Sequence, residues 1–173
     1  MTGNAPSSHR ILGRLRSADG HGVVRIEDRY DTGIDDLWSA IIDPDRLARW
    51  YGRVEGDLRL DGEFRLFVDG SGWDGVGRVE ACEPPRRLQV RTKESAEPYE
   101  EVIEATLTSD GDQTILVIEA RGMPLDKVAF YGAGWQLHAE DLAAYLAGRT
   151  RADAEKRFGE LVPSYQDQAA GLS

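Results

Sequence analysis

Apolar residues change their spacing several times along this chain, and each change marks an element. From Val23 to Tyr30 they alternate, with Val24, Ile26 and Tyr30 on one face, which predicts a half-buried strand. Ile11–Arg16 is expected as a short strand before it, with ADGHG (18–22) as the turn. The period then becomes helical. Leu37, Trp38, Ile41 and Ile42 form an i, i+1, i+4, i+5 stripe, with Thr32 as the expected cap and Asp35 three residues on. The stretch DPDRLARWYG (43–52) opens a second short helix. Asp43 is its cap, Pro44 takes the first helical position, and Asp45 favours the positive end of the helix dipole. Leu47 and Trp50 share a face, and Gly52 is placed to end the helix.

A period of two returns next. Leu58, Leu60, Phe64 and Leu66 alternate with charged residues from Asp57 to Phe67, interrupted at Asp61-Gly62 by an expected bulge or bend. DGSGWDG (69–75) reads as a turn that includes Trp73. Val76–Cys82 and Leu88–Thr92 are two more strands, divided by Pro84-Pro85, and Val102–Thr108 with Thr114–Ala120 form a hairpin around SDGDQ (109–113). After Pro124, Trp135, Ala139, Leu142 and Leu146 trace one face of a long helix that Gly148 stops. Residues 149–173 are mostly polar, with Phe158, Leu161, Val162 and Tyr165 as candidate anchors onto the domain. The expected organisation is a disordered start (1–10), one domain (11–148) and a C-terminal extension (149–173). Strands in sequence flanked by helices argue for an α+β fold, an antiparallel meander packed on one helix.

Composition narrows the function. The chain has 173 residues and a formal charge of -10, which argues against nucleic acid as a partner; the tight basic pair Arg86-Arg87 reads as solvated. A single cysteine, Cys82, rules out an intrachain disulfide and reads as an inert buried thiol. MTGNAPSSHR lacks an apolar signal core, and no run is long enough for a membrane span, so the expected location is the cytoplasm. The three histidines, His9, His21 and His138, lie far apart, so neither a metal nor a cofactor is expected.

GIDDLWSAIIDPDRLARWYG, the Asp57–Phe67 strand with Gly62, EACEPPRRL (80–88) and Gly134-Trp135 before a helix, in that order, resemble the SRPBCC or START-like superfamily. The nearest resemblance is to the subfamily related to the activator of the heat-shock ATPase, the Aha1-type domains, over roughly Val23 to Gly148. The resemblance implies a helix-grip (START-like, Bet v 1-like) fold: a curved antiparallel sheet around a long C-terminal helix, with a cavity between them that two short helices partly close.

Within such a fold Trp50 and Tyr51 belong at the cavity mouth or wall, unless Trp50 is core packing beneath the second helix. Trp38, Phe64, Leu66, Trp73, Phe130, Trp135, His138 and Leu142 complete the expected binding set, with Tyr145 beside it, although aromatic residues at regular spacing more often fill a core than line a site. His138, Asp141 and Tyr145, at i, i+3 and i+7, are the candidate catalytic group. The alternative is that His138 is partly exposed or bonded to a carbonyl. Glu104 and Glu119 sit in strands among apolar residues; alternation points Glu104 outward, and Arg78 and Arg91 are candidate partners.

Three functions remain open. The first is a module binding a small apolar or amphipathic molecule. The second is a cyclase- or hydrolase-like enzyme using the same cavity. The third is a protein partner that regulates the ninety-kilodalton heat-shock chaperone ATPase. Against the third, the eukaryotic activators carry an additional N-terminal domain for which the residues before Val23 leave no room. An edge strand at Ile11–Arg16 offers a route to a homodimer.

Overall fold

A computed structural model describes residues 10–172. Two strands, β1 (Gly13–Ala18) and β2 (His21–Tyr30), precede two short helices, α1 (Ile34–Ile42) and α2 (Pro44–Trp50). Six strands follow: β3 (Arg53–Gly56), β4 (Glu63–Val68), β5 (Trp73–Glu83), β6 (Arg87–Glu94), β7 (Glu100–Asp110) and β8 (Gln113–Pro124). A single 3-10 turn leads into the long helix α3 (Val128–Leu146), and α4 (Ala154–Ala169) closes the chain. All eight strands form one antiparallel sheet in the order β1-β2-β8-β7-β6-β5-β4-β3. This is the helix-grip arrangement, with the sheet curved around α3.

The curvature has local causes. The β2–β8 register shifts between Gly22 and Val23, leaving Gly122 of β8 bulged at φ 110. A Cβ there would lie 2.6 Å from the Glu100 carbonyl, so the bend requires glycine. The β5–β6 ladder shifts between Val79 and Ala81. The concave face collects the core: Val24, Ile26, Leu37, Val79, Leu107, Leu116 and Leu142 are buried. Tyr30 crosses from sheet to helix, its hydroxyl donating to the Ala139 carbonyl at 2.9 Å.

Several local expectations change. Thr32 does not cap α1: Gly33 holds the cap position, and the Thr32 hydroxyl donates to Asp36 at 2.7 Å. Asp43 does cap α2, accepting from the Asp45 amide at 3.0 Å. Gly52 lies past Tyr51, which takes the C-cap; its need for glycine is the Phe67 carbonyl, 2.4 Å from where a Cβ would stand. Asp57–Phe67 is not one strand. Asp61, at φ 62, and Gly62 turn the chain between β3 and β4, and Leu60 is left 56% exposed. Gly148, at φ 68, ends α3 as expected. The expected disordered start falls on residues 1–9, outside the described residues, apart from Arg10, which pairs with Asp28 at 2.8 Å.

The extension is built into the domain. Leu161 and Tyr165 of α4 are fully buried against Ala129 and Ala133 of α3. The Tyr165 hydroxyl donates to Gln136 Oε1 at 2.6 Å and accepts from the Gly13 amide at 2.9 Å, tying α4, α3 and β1 together. Arg157 donates to both oxygens of Glu140, each at 2.7 Å.

Candidate functional site

A cavity of about 270 Å³ opens between the sheet and α3. The sheet supplies Leu66 and Val68 of β4, Trp73 of β5, Thr92 and Glu94 of β6, and Glu101 and Ile103 of β7. Tyr131, Gly134, Trp135 and His138 of α3 face them, and Tyr51 enters from the end of α2. The helix spacing explains this wall, since positions 131, 134, 135 and 138 lie on one side of an α-helix. A recess of about 100 Å³ continues it into the core between Trp50, Phe64, Leu88, Val90 and Leu116, sharing Tyr51, Leu66, Thr92, Ile103 and Trp135 with the main space. A wider cleft of about 880 Å³ lies outside, bounded by the β4–β5 turn and by residues 150–158. It shares Tyr51, Val68, Ser71, Gly134, His138 and Phe158 with the cavity and so adjoins it.

The two rings of the DPDRLARWYG stretch have separate roles. Trp50 is core: it is 4% exposed and its indole donates to the Ala40 carbonyl at 3.0 Å. Tyr51 turns into the cavity and stacks on Trp135, with ring centres 5.9 Å apart. His138 meets both rings edge-on, 4.7 Å from Tyr51 and 5.5 Å from Trp135. Burial among these rings lowers the His138 pKa to about 4, with the Arg151 charge acting in the same direction, so the imidazole is neutral at physiological pH. Burial also pushes the Tyr51 phenol well above its ordinary value.

On the sheet side, Glu101 is 5% exposed, and burial, followed by the negative charge of Glu94, raises its pKa to about 7. The Tyr131 hydroxyl acts in the opposite sense. Tyr131 is itself 2.6 Å from the Tyr99 hydroxyl, and Lys127 lies over the Tyr99 ring. Thr92, directly opposite Glu101 across the β6–β7 ladder, is 2% exposed. Among the described residues, three buried side-chain atoms lack a hydrogen-bond partner within the protein: Thr92 Oγ1, Glu101 Oε2 and His138 Nδ1. All three residues line this one cavity.

The expected catalytic stripe is brought together only in part, since His138 and Asp141 both line the outer cleft. His138 lines the cavity, but the Tyr145 hydroxyl is 2.8 Å from Arg46 Nε, whose guanidinium also binds Asp36. Asp141 faces the outer cleft, where burial raises its pKa to about 6 against the opposing charge of Arg151. Of the expected binding set, Tyr51, Leu66, Trp73, Trp135 and His138 line the main cavity, and Trp50 and Phe64 back the recess. Phe130 reaches the cavity rim, 47% exposed and stacked on Phe158. Trp38 and Leu142 are core. Sequence reasoning missed Thr92, Glu101, Tyr99 and Tyr131. The signal was available for Glu101, since the alternation that points Glu104 outward puts residues 101, 103 and 105 on the inner face. Glu104 does point outward, to Arg87 and Arg121, and Glu119 pairs with Arg16 and Arg121. Arg91 pairs instead with Glu80 and Glu100.

Among the described residues no three of His, Cys, Asp or Glu gather as metal ligands, and no helix is long and apolar enough to cross a membrane. No curated protein matches the chain. Solved structures do. CalU16 from Micromonospora echinospora is 28% identical with a TM-score of 0.76, the match covering 91% of this chain and 95% of that one. DynU16, from the dynemicin biosynthetic locus, is 27% identical with a TM-score of 0.70, covering 79% of this chain and 51% of its own. EF2215 from Enterococcus faecalis, 14% identical with a TM-score of 0.72, covers 94% and 95% and shares the fold. Residues 31–147 match the model of the Activator of Hsp90 ATPase homolog 1-like proteins, from the start of α1 to the end of α3. The chain belongs to that family, within the SRPBCC/START-like superfamily.

Proposed function

We propose that this protein binds a small, largely apolar molecule with polar substituents in the cavity between its sheet and α3. One observation carries the reading: the three residues whose buried polar atoms lack protein partners line a single, largely apolar space. A buried polar atom left unpaired costs about 1–3 kcal/mol, so three in one core would be a standing loss unless another molecule meets them. The main cavity and its recess, about 270 and 100 Å³, lie near the lower end of the roughly 300–1,000 Å³ of small-molecule sites. That size suits a molecule of about two fused rings. The place of DynU16 in a biosynthetic locus agrees with a small organic ligand.

A second reading, an acid–base enzyme on the same ligand, is favoured by one feature. Glu101 is linked through Tyr131 to Tyr99 near the surface, a route by which a proton could be returned to a buried acid. In that case Glu101, rather than the His138–Asp141–Tyr145 stripe, is the acid or base. A chaperone-regulating role rests on the family name and draws nothing from this site.

Native mass spectrometry of freshly purified protein, followed by organic extraction, tests the binding reading. The expected result is a discrete bound molecule that is lost when Gly134→Trp fills the cavity. Retention of the same molecule by a folded Gly134→Trp variant would place it elsewhere and overturn the reading.

A further inference from the structure

The next step rests on the binding reading above and concerns the chemistry of the ligand. Residues with unpartnered polar atoms line the cavity in two groups, or poles, one on the sheet and one on α3. Thr92 and Glu101 form the first; they are direct cross-strand partners, so their side chains leave the sheet together, with Cβ atoms roughly 5 Å apart. The Tyr131 hydroxyl faces this pole from α3. His138 forms the second, seven residues farther along α3, or roughly 10 Å along the helix axis. Leu66, Ile103, Tyr51 and Trp135 line the same space.

We propose that the ligand is an uncharged molecule of about two fused rings, with a carbonyl-type acceptor at the Thr92–Glu101 pole and a hydroxyl at the His138 pole. A hydroxyl both donates and accepts, so it satisfies His138 Nδ1 in either tautomer of a neutral imidazole. At the other pole the Thr92 hydroxyl is one donor, and the Glu101 carboxyl, held partly protonated near neutral pH by burial and by Glu94, is a second. Two donors side by side on one face of the sheet match a carbonyl oxygen. A carboxylate ligand would meet Glu101 and Glu94 as like charges. An ammonium would require Glu101 to be ionised and would surrender its hydration to Leu66, Val68 and Ile103. Sites with buried polar groups discriminate sharply against analogues that leave those groups unmet.

Isothermal titration of the full chain with five probes tests this: 6-hydroxy-1-tetralone, 1-tetralone, tetralin, 6-hydroxy-2-naphthoate and 1-amino-6-hydroxytetralin. The expected order places 6-hydroxy-1-tetralone about tenfold tighter than 1-tetralone and about a hundredfold tighter than tetralin, one factor for each polar end. The naphthoate and the amine should bind more weakly than 1-tetralone. His138→Leu should erase the gap between the two tetralones. Glu101→Gln, which keeps a donor, should preserve the preference for a carbonyl, and Glu101→Leu should lose it. Equal affinity for the three neutral probes would overturn the two-pole assignment while leaving the cavity reading intact. Tightest binding by the naphthoate or the amine would overturn it on charge. No binding by any probe would overturn both. The wild-type series decides the matter even if a variant fails to fold.

Discussion

Gln136 and His138 stand two residues apart on α3 and face opposite ways, as the helix's roughly 100° per residue requires. Gln136, fully buried, uses every hydrogen-bonding position it has. Its Oε1 accepts from the Leu12 amide at 3.0 Å and the Tyr165 hydroxyl at 2.6 Å, and its Nε2 donates to the Arg10 carbonyl at 2.7 Å and Glu140 at 3.0 Å. His138 leaves Nδ1 buried and unpaired within the protein. The same helix therefore presents a completed polar network toward β1 and α4, and an incomplete one toward the cavity. A completed network specifies one packing of the chain. An incomplete one weakens the free protein, a loss that the proposed ligand would offset.

Trp50→Ala should give the largest effect. Its indole is core and bonded to Ala40, so truncation should cost about 3–5 kcal/mol of unfolding free energy in urea titrations. A loss below about 1 kcal/mol would mean that Trp50 lines open space, as its neighbour Tyr51 does. Gln136→Leu should come next, at about 3 kcal/mol, because it strands the Leu12 amide and the Tyr165 hydroxyl together. A near-neutral result would erase the contrast between the two faces of α3.

The poles of the cavity should also answer pH in opposite directions. The folded-state pKa of Glu101 is raised, so its contribution is fully present below about 4.5 and lost as pH rises through about 7. Glu101→Gln should therefore gain on wild type by up to about 3 kcal/mol across that window. The folded-state pKa of His138 is lowered, so its contribution is present above about 6.5 and lost as pH falls through about 4. His138→Leu should gain on wild type toward acid pH. Parallel curves for variant and wild type would mean that these groups are not buried as described. Tyr99→Phe should have the smallest effect, below about 1 kcal/mol, since Tyr99 is only partly buried.

The fold was largely legible in the sequence because period and capping are local. The alternation over Val23–Tyr30, the Asp43 cap with Pro44, and Gly148 each act within a few residues. Where two signals competed, the reading failed. Thr32 looked like a cap, but its hydroxyl found Asp36 instead. Asp61-Gly62 looked like a bulge within one strand, but Asp61 adopts a positive φ and turns the chain. The site was legible in part. Tyr51, Trp135 and His138 could be placed by helical spacing. The His138–Asp141–Tyr145 spacing was correct, yet Arg46 reaches from α2 to hold Tyr145, which no spacing along α3 can reveal. Glu101 was masked by its neighbours Tyr99 and Glu100, which make the start of β7 read as a solvated run. Its pairing with Thr92 exists only once β6 and β7 are in register.

The most direct test of the account is the unfolding free energy, from urea titration at pH 7, of a variant carrying Thr92→Val, Glu101→Leu and His138→Leu together. The account predicts a protein at least as stable as wild type, since three unmet polar atoms are replaced by apolar groups of similar shape. A loss of 3 kcal/mol or more, comparable to the roughly 3 kcal/mol expected for Gln136→Leu, would contradict it. That result would show these atoms already serving the fold and not held for a ligand.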